Sequence, residues 1–380
     1  MSRTARSALA TVGLIIAGGT TPGCETPGSG IQAGEHVTVY VSMPLRGPGE
    51  VDGRDVVRGA KLALADVQGR VGELAVRAVY LDDTGGRGDR ARWSQAVAAA
   101  NARNAAEDSS AIAYLGDFDS GATRASLPIT NEARMLQVSP ASAAVDLVQP
   151  FLGAGDRVPE EVQATGERTF GRVIPSDEVQ AEAAAGWAKR LGARRVGTVS
   201  DGTEFSQTMV RAFRQSLQGA RLTRGRDDLL YYGGGPERMP AGLTQIPTDT
   251  VMASDALLVH STSRPVHGLL VTSAAQDPSQ LPPDGEPFVS AFTKRYGIQP
   301  GRYAAYGYEA MAVVLDSIQR AGDQGDDRDA VVDAFFETND RDSVLGAYSI
   351  DEVGDTTLGR LAGYRLADGR TRFQTALRVP

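Results

Sequence analysis

Loops rich in hydroxyl groups, small residues and carboxylates follow four predicted strands. These are the places where the chain could bind a small charged ligand. In open α/β sheets, helix N-termini and backbone amides converge on a crevice at the carboxyl ends of the strands. The four loops are 116–122, 139–143, 200–205 and 253–255.

The first two loops are suited to an anion. Ser120 carries a hydroxyl, and free amides around Gly121 could receive a carboxylate; alternatively, Ser120 caps a helix that begins near Thr123. Loop 139–143 combines hydroxyls with small residues that leave room for a ligand. The other two loops supply an aromatic ring, Phe205, and an acid, Asp255, which could instead be a turn or cap residue. Together the four loops predict a zwitterion enclosed between two lobes.

Enzyme signatures are scarce in this chain. It contains no GxGxxG, GxxxxGK[ST], GxSxG or HExxH motif, so dinucleotide, P-loop, α/β-hydrolase and zincin chemistry have no motif support. The one catalytic alternative is His260 acting as a base beside Ser261 or Ser263. We expect a protein that is not an enzyme, with no catalytic residue and no cofactor.

A cation site is a second alternative. Asp82 and Asp83 end a predicted strand and could bind a cation together with Asp117 and Asp119. Acidic pairs at strand ends more often cap helices or face water, so we expect no metal site.

Composition limits the partners. The 380 residues include 39 Lys+Arg and 47 Asp+Glu, a net charge of −8 that argues against nucleic acid. Hydrophobic residues make up 41% and charged residues 23%, which are ordinary globular values, and the length favours about two domains.

The N-terminus has the features of a targeting segment. Arg3 and Arg6 precede the apolar stretch 8–17, and residues 1–23 are interpreted as a signal peptide, too short to span a membrane. Cys24, the single cysteine, resembles the lipidated residue of a bacterial lipoprotein; the alternative is a spare thiol after an ordinary secretory signal. Residues 24–36 then form a flexible tether to a membrane anchor. We expect an extracytoplasmic protein, lipid-anchored at the outer face of the cell membrane.

Strands and helices alternate from residue 37 onward, which predicts parallel βαβ units in two doubly wound lobes. The predicted strands are 37–41, 74–81, 111–115, 135–138, 195–199, 229–232, one each within 251–259 and 268–272, and a β region after 347. The predicted helices are 55–67, 90–106, 123–133, 177–191, 205–217, 287–296, 303–321 and 328–338. Residues 151–169 break the pattern and are interpreted as a surface loop near a domain crossing.

Collinear segments across nearly all of the mature chain resemble the type I periplasmic binding proteins of branched-chain amino acid ABC transporters, the leucine/isoleucine/valine-binding group. These segments are PLRGP (44–48), DG (52–53), RGAKLA (58–63), GDFDSG (116–121), LPITNEA (127–133), VSPAS (138–142), RVIPSD (172–177), LGA (191–193), YYGG (231–234), YAAYGYEA (303–310) and DEVGD (351–355).

The resemblance implies two lobes joined by a three-strand hinge. Lobe 1 would combine 37–165 with 286–345, and lobe 2 would combine 166–285 with 346–380. The ligand's carboxylate would meet lobe 1 at Ser120, Gly121, Ala141, Ser142 and Ala143. Its ammonium would meet Asp255, and the aromatic of lobe 2 would be Phe205. Hinge closure on an amino acid or related ligand, delivery to an ABC permease and a monomeric state follow as expectations.

The chain also departs from the family pattern. Ala143 stands where the family has a hydroxyl-bearing Thr, and Phe205 lacks the family's phenol hydroxyl. The family's tyrosine at the glycine-rich turn falls near Gly235, and the aromatic near Asp52 is absent. A buried polar group left without its partner costs about 1–3 kcal/mol, so these losses should alter the specificity. They also leave open a ligand-sensing receptor domain that signals to a membrane partner without transport.

Overall fold

The computed structural model describes residues 36–150, 158–217, 221–222, 227–240, 243, 248–259, 269–367 and 370–379. The predicted signal peptide, Cys24 and the tether up to residue 35 lie outside the described residues, as do His260, Ser261 and Ser263. Among the residues that are described, no helix is both long and apolar enough to cross a membrane.

The strands follow the predicted alternation with helices. Within the described residues they are β1 (His36–Met43), β2 (Arg70–Val71), β3 (Leu74–Asp82), β4 (Thr84–Gly85), β5 (Arg92–Trp93), β6 (Ala111–Leu115), β7 (Leu136–Ser139), β8 (Phe170–Arg172), β9 (Arg195–Val199), β10 (Arg221–Leu222), β11 (Asp227–Tyr232), β12 (Thr248–Ala253), β13 (Leu269–Ser273), β14 (Arg360–Ala367) and β15 (Arg370–Arg378).

The α-helices of the same described ranges are α1 (Glu50–Asp66), α2 (Gln95–Glu107), α3 (Ser120–Glu132), α4 (Asp177–Arg190), α5 (Glu204–Ser216), α6 (Ala256–Val259), α7 (Glu286–Tyr296), α8 (Ala304–Arg320) and α9 (Arg328–Phe336).

The first sheet has the order β2-β3-β1-β6-β7-β8, and its pairs are parallel except for β2 with β3. Its central strand β1 is buried on both faces. Val37, Val39 and Val41 pack in the large core cluster with α1 and α8, while Tyr40 packs with α2 and α3. This arrangement is a doubly wound sheet, as the near-continuous apolar strands predict.

The second sheet has the order β10-β9-β11-β12-β13-β14-β15. Its pairs from β10 to β13 are parallel, and the C-terminal strands β14 and β15 add an antiparallel edge. Helices α4 and α5 pack together beside this sheet. The prediction of two α/β lobes built on doubly wound sheets is therefore confirmed.

The chain passes between the two sheets three times, after β8, after β13 and before β14. The first sheet extends beyond the expected boundary at residue 165, because β8 (Phe170–Arg172) pairs with β7. Residues 346–355 also lie with the first sheet, since Tyr348 bonds to Arg341 and the Gly354 carbonyl accepts from the Arg172 amide. Short strands such as β8 have too few residues to show a period.

Three helices begin three or more residues from the predicted position. Helix α1 begins at Glu50 rather than at residue 55. Helix α2 begins at Gln95 rather than at residue 90, because Arg92–Trp93 pairs with Thr84–Gly85 as a small hairpin. Helix α3 begins at Ser120, so Ser120 does not cap a helix starting near Thr123. Asp119 holds the N-cap position, and its side chain makes no capping hydrogen bond.

Candidate functional site

A cavity of about 560 Å³ lies between the loops of the two sheets. This volume is within the range of small-molecule sites in proteins. Six of the seven ligand-binding residues predicted from the sequence line it: Ser120, Gly121, Ala141, Ala143, Phe205 and Asp255. The structure therefore brings residues from all four predicted loops together around one space.

The start of α3 offers free backbone donors to this cavity. Within the described residues, the amides of Ser120, Gly121 and Ala122 have no hydrogen-bond partner, as is usual for a first helical turn. The Ser120 hydroxyl accepts a hydrogen bond from the Ala144 amide at 3.2 Å, which ties the first two loops together. Since a hydroxyl can also donate, Ser120 retains a proton for a ligand.

The second loop is folded around Ser139 and offers less than expected. The Ser139 hydroxyl accepts from the amides of Ala141 (3.2 Å) and Ser142 (2.8 Å) and donates to the Asp117 carbonyl. Ser142 is fully buried, lies outside the cavity wall, and bonds through its hydroxyl to Thr123 at 2.6 Å and to the Asp117 carbonyl at 3.0 Å. In this structure the Ser142 hydroxyl therefore stabilises the loop and does not face the space that Ala143 leaves open.

Asp117 organises the first loop from behind the cavity. It is fully buried, and its carboxylate accepts hydrogen bonds from Tyr114 at 3.2 Å and Ser126 at 2.5 Å. Burial raises the pKa of Asp117 to about 6. Its neighbour Asp119 lines the cavity, and burial together with the negative charge of Asp117 raises the pKa of Asp119 to about 7.

The wall of the second sheet is built by the loop before α5. Thr203 caps this helix, accepting from the Ser206 amide at 3.3 Å. Asp201 accepts from the Thr203 hydroxyl at 2.6 Å and from the Gly235 amide at 3.1 Å. These bonds place Phe205 and Gly235 in the cavity wall. If Gly235 carried a side chain, its Cβ would contact only Oε2 of Glu237, at 3.4 Å. The space that the family's tyrosine would occupy is therefore open.

Two acids approach the cavity on this second side. Asp255 follows β12 and accepts a hydrogen bond from the Ala274 amide at 3.4 Å. Burial raises the pKa of Asp255, opposed by the Gln180 side chain and by the positive charge of Arg302. Asp177, the first residue of α4, is only 5% exposed and lines the same cavity. Burial, and then the negative charge of Asp255, raise the pKa of Asp177 to about 7.

Arg124, which lines the cavity, is engaged by other residues. Arg124 lines the cavity one turn into α3, and its guanidinium forms a two-pronged ion pair with Asp146 at 2.5 and 3.1 Å. It also lies 3.8 Å from Glu204, the first residue of α5. Arg124 therefore connects the cavity walls of the two sheets.

Aromatic rings form much of the remaining surface. Phe118 and Tyr303 pack edge to face with centroids 4.7 Å apart, and Trp93 lies over the start of α3. A Cβ on Gly121 would come within 2.5 Å of the Trp93 ring, so glycine allows the indole to lie there. The sequence analysis missed Trp93, because it assigned that residue to a helix. The available signal was that Trp93, one of the two tryptophans of the chain, follows a glycine-rich turn.

Asp82 and Asp83, two of the acids considered for a cation, have different surroundings. Asp82 accepts from the Leu45 and Thr84 amides and pairs with Arg46. Asp83 is fully buried, and neither of its carboxylate oxygens has a partner. Throughout the part of the chain that the structure describes, no group of three or more His, Cys, Asp or Glu side chains is arranged to hold a metal ion.

The chain is similar to known binding proteins. An amino acid binding protein of Pseudomonas aeruginosa is 26% identical over 321 residues, covering 75% of this chain and 79% of that protein. The crystal structure of the leucine-binding protein LivK of Thermotoga maritima has a TM-score of 0.70 at 24% identity, over 90% of this chain and 99% of that one. LivJ of Streptococcus pneumoniae, solved with isoleucine, has a TM-score of 0.70 at 16% identity, over 91% and 99%.

The family model described as periplasmic binding protein matches residues 36–229, which include the first sheet and the start of the second. The match agrees with the two doubly wound sheets and with the cavity between their loops. The chain therefore belongs to the periplasmic binding protein family and has the type I fold of that family.

Proposed function

We propose that this protein is the extracytoplasmic substrate-binding component of an ABC transporter. It binds an amino acid or a related small polar ligand in the cavity between its two lobes and delivers the ligand to a membrane permease. The observation that carries this proposal is the cavity itself, which has free helix amides at Gly121 on one wall and the Asp255 carboxylate on the other. It requires no covalent chemistry.

The two walls have complementary roles in the proposal. A ligand carboxylate accepts hydrogen bonds from the Gly121 and Ala122 amides and from the Ser120 hydroxyl, where the α3 dipole favours negative charge. The ligand's ammonium pairs with Asp255, whose burial makes an unpaired charge costly. Phe205 contributes apolar surface beside them.

Closure of the lobes follows from the connections between the sheets. Three connections join them, after β8, after β13 and before β14, and short loop connections of this kind can absorb a hinge rotation. A ligand that contacts both walls stabilises the closed form, because each wall alone supplies only part of its hydrogen bonds. We propose that the permease recognises this closed form.

Membrane attachment through Cys24 is part of the same proposal. The apolar segment 8–17 followed by a lone cysteine supports processing as a lipoprotein, with the folded part held outside the membrane. Replacing Cys24 with Ser should release the protein from the membrane fraction of cells, with loss of the lipid mass from its N-terminal peptide. An unchanged N-terminal mass and fractionation would contradict the anchor and leave the binding function standing.

Thermal unfolding of the purified protein tests the binding function. Amino acids, short amides, polyols and aromatic acids would each be added at millimolar concentration. A ligand present at about 100 times its dissociation constant adds roughly 2.7 kcal/mol of stability, a shift of several degrees. A shift with an amino acid supports the proposal. A shift only with another class of compound discards the amino acid as the ligand, and no shift with any compound contradicts the binding function.

A further inference from the structure

The wall of the cavity carries far more negative than positive groups. Among the residues that the structure describes, two arginines line it, Arg124 and Arg238. The carboxylates that line it are Asp119, Asp146, Asp177, Asp201, Glu204, Glu237 and Asp255. A cavity with this balance attracts cations and repels anions, and the effect is strongest where water is excluded.

Several of these carboxylates are already used within the protein. Asp146 neutralises Arg124 at 2.5 Å, and Asp201 is occupied by the Thr203 hydroxyl and amide and by the Gly235 amide. Arg238 is exposed at the edge of the cavity. The excess of negative charge inside therefore rests chiefly on Asp119, Asp177 and Asp255.

Asp177 stands apart because it is buried and lacks a partner. Its side chain is more than nine-tenths buried, it lines the cavity, and its carboxylate makes no hydrogen bond within the described residues. It is not needed to cap α4, since the Ser176 hydroxyl accepts from the Val179 amide at 3.4 Å. Its carboxylate oxygens are not fully enclosed, so the carboxylate faces the cavity, where the described residues supply no hydrogen-bond partner.

Asp177 is available to bind a cation, because the nearby arginines form ion pairs with other acids. The arginines whose charges act on it, Arg172 and Arg124, are paired with Asp355 and Asp146. Arg302, which acts on Asp255, pairs with Asp52 at 3.3 Å and does not line the cavity.

Aromatic rings add to this preference. Trp93, Phe118, Phe205 and Tyr303 line the same cavity, and the face of an aromatic ring attracts a cation. Acids and rings together favour an organic amine or guanidinium over an aliphatic side chain.

We propose that the ligand carries a second cationic group, as a basic amino acid does, and that Asp177 binds this group while Asp255 binds the α-ammonium. The inference rests on the proposed function and names its substrate class. The negative charge of Asp255 acts on Asp177, so a single ammonium between them leaves a net negative charge. A dicationic ligand satisfies both.

Isothermal titration calorimetry with matched ligand pairs tests this assignment. L-lysine is compared with L-norleucine, which lacks the terminal ammonium, and L-arginine with L-citrulline, which lacks the guanidinium charge. In at least one pair we expect the cationic member to bind about tenfold more tightly or better. Asp177→Asn should weaken that cationic member by about 30-fold or more and should remove most of the preference.

Glu178→Gln is the matched control. It removes a carboxylate from the next position of α4, but Glu178 interacts with Asp355 and Arg172 and does not line the cavity. It should leave all four affinities unchanged. Circular dichroism and the thermal midpoint of each variant without ligand verify that both variants fold.

The possible results separate the two proposals. The assignment is overturned if the neutral members bind as well as the cationic ones, or if Asp177→Asn weakens both members equally; in either case the binding function stands. If no amino acid binds, the assignment of a basic amino acid fails, and if no other compound of the thermal panel binds either, both proposals fail. A charge preference that Asp177→Asn abolishes and Glu178→Gln preserves supports both.

Discussion

The guanidinium of Arg124 lies 3.8 Å from the carboxylate of Glu204, and this ion pair spans the cavity. Arg124 belongs to α3 beside the first sheet, and Glu204 is the first residue of α5 beside the second. Because Asp146 holds Arg124 more closely, at 2.5 Å, the position of the guanidinium is fixed from the first wall. The contact with Glu204 therefore depends on how near the second wall lies.

Glu204→Gln should weaken ligand binding modestly. The two side chains are 22% and 35% exposed, so water and salt screen the pair, and we expect a loss of about 0.2–1 kcal/mol in binding free energy. Titrations at low and high salt measure it, and the difference from wild type should shrink at high salt. Glu160→Gln, a change at an exposed position outside the cavity wall, should have no effect. A loss that does not depend on salt would contradict a role of this ion pair in closure.

Trp93 should report ligand binding by its fluorescence. The chain has two tryptophans, and Trp187 is buried in α4 at 4% exposure, so Trp187→Phe leaves Trp93 as the only source of indole emission. Trp93 is 37% exposed on the cavity wall, and closure of the lobes should remove water from it. We expect a blue shift of its emission on addition of ligand. Emission that stays constant at saturating ligand would contradict closure over this wall.

Asp355→Ala should destabilise the fold strongly. Arg172 is fully buried; it donates to the carbonyls of Ser142 and Ala144 and pairs with Asp355. Removing the carboxylate leaves a buried guanidinium without its charge partner, at a cost of about 3–5 kcal/mol in the free energy of unfolding. Urea unfolding measures this change. Glu50→Ala, which breaks the exposed pair with Arg54, should cost far less, and comparable losses would contradict the account.

Asp83 should make the protein less stable as the pH rises. Burial, and then the negative charges of Asp117 and Asp119, raise the pKa of Asp83 to about 9. Its pKa in the unfolded chain is about 3.9, so between these values the folded state retains a proton that the unfolded state has lost. This contribution to stability is fully present below about pH 4 and is lost as the pH rises through about 9.

Asp83→Asn tests this dependence. The variant cannot titrate at this position, so its free energy of unfolding should fall less steeply than that of wild type between about pH 5 and pH 9. Urea unfolding at several pH values measures both slopes. The variant's slope should not reach zero, because Asp117 and Asp119 also have raised pKa values. Identical slopes would show that Asp83 is already ionised in the folded protein.

The sequence predicted elements with a strong period well and short elements poorly. The apolar run Ala111–Leu115 is β6 with the predicted bounds, because all five residues are buried and turn residues enclose them. Strand β8 and the hairpin of β4 with β5 have two or three residues each, too few to show alternation, and tertiary pairing alone defines them. Trp93 was missed for this reason.

The candidate site was predictable in position and less so in detail. Four loops at strand ends locate the cavity, as the crevice rule for α/β sheets implies. The sequence cannot show which hydroxyls turn inward, so Ser142 was expected at the ligand and instead bonds to Thr123. The sequence pattern predicts Asp177 only as the first residue of a helix, where a negative charge interacts favourably with the helix dipole. Only the structure shows that Asp177 is 5% exposed and lines the cavity.

The central claim is that the cavity binds a ligand ammonium through Asp255, and calorimetry of Asp255→Ala tests it most directly. The ligand would be the amino acid that most raises the thermal midpoint of wild type, and Asp284→Ala, a change of an exposed acid, would be the control. We predict that Asp255→Ala weakens binding by about 2–5 kcal/mol, because a desolvated charge loses its partner. A loss below about 0.5 kcal/mol in a folded variant would contradict the claim and show that the ammonium of this ligand is bound elsewhere.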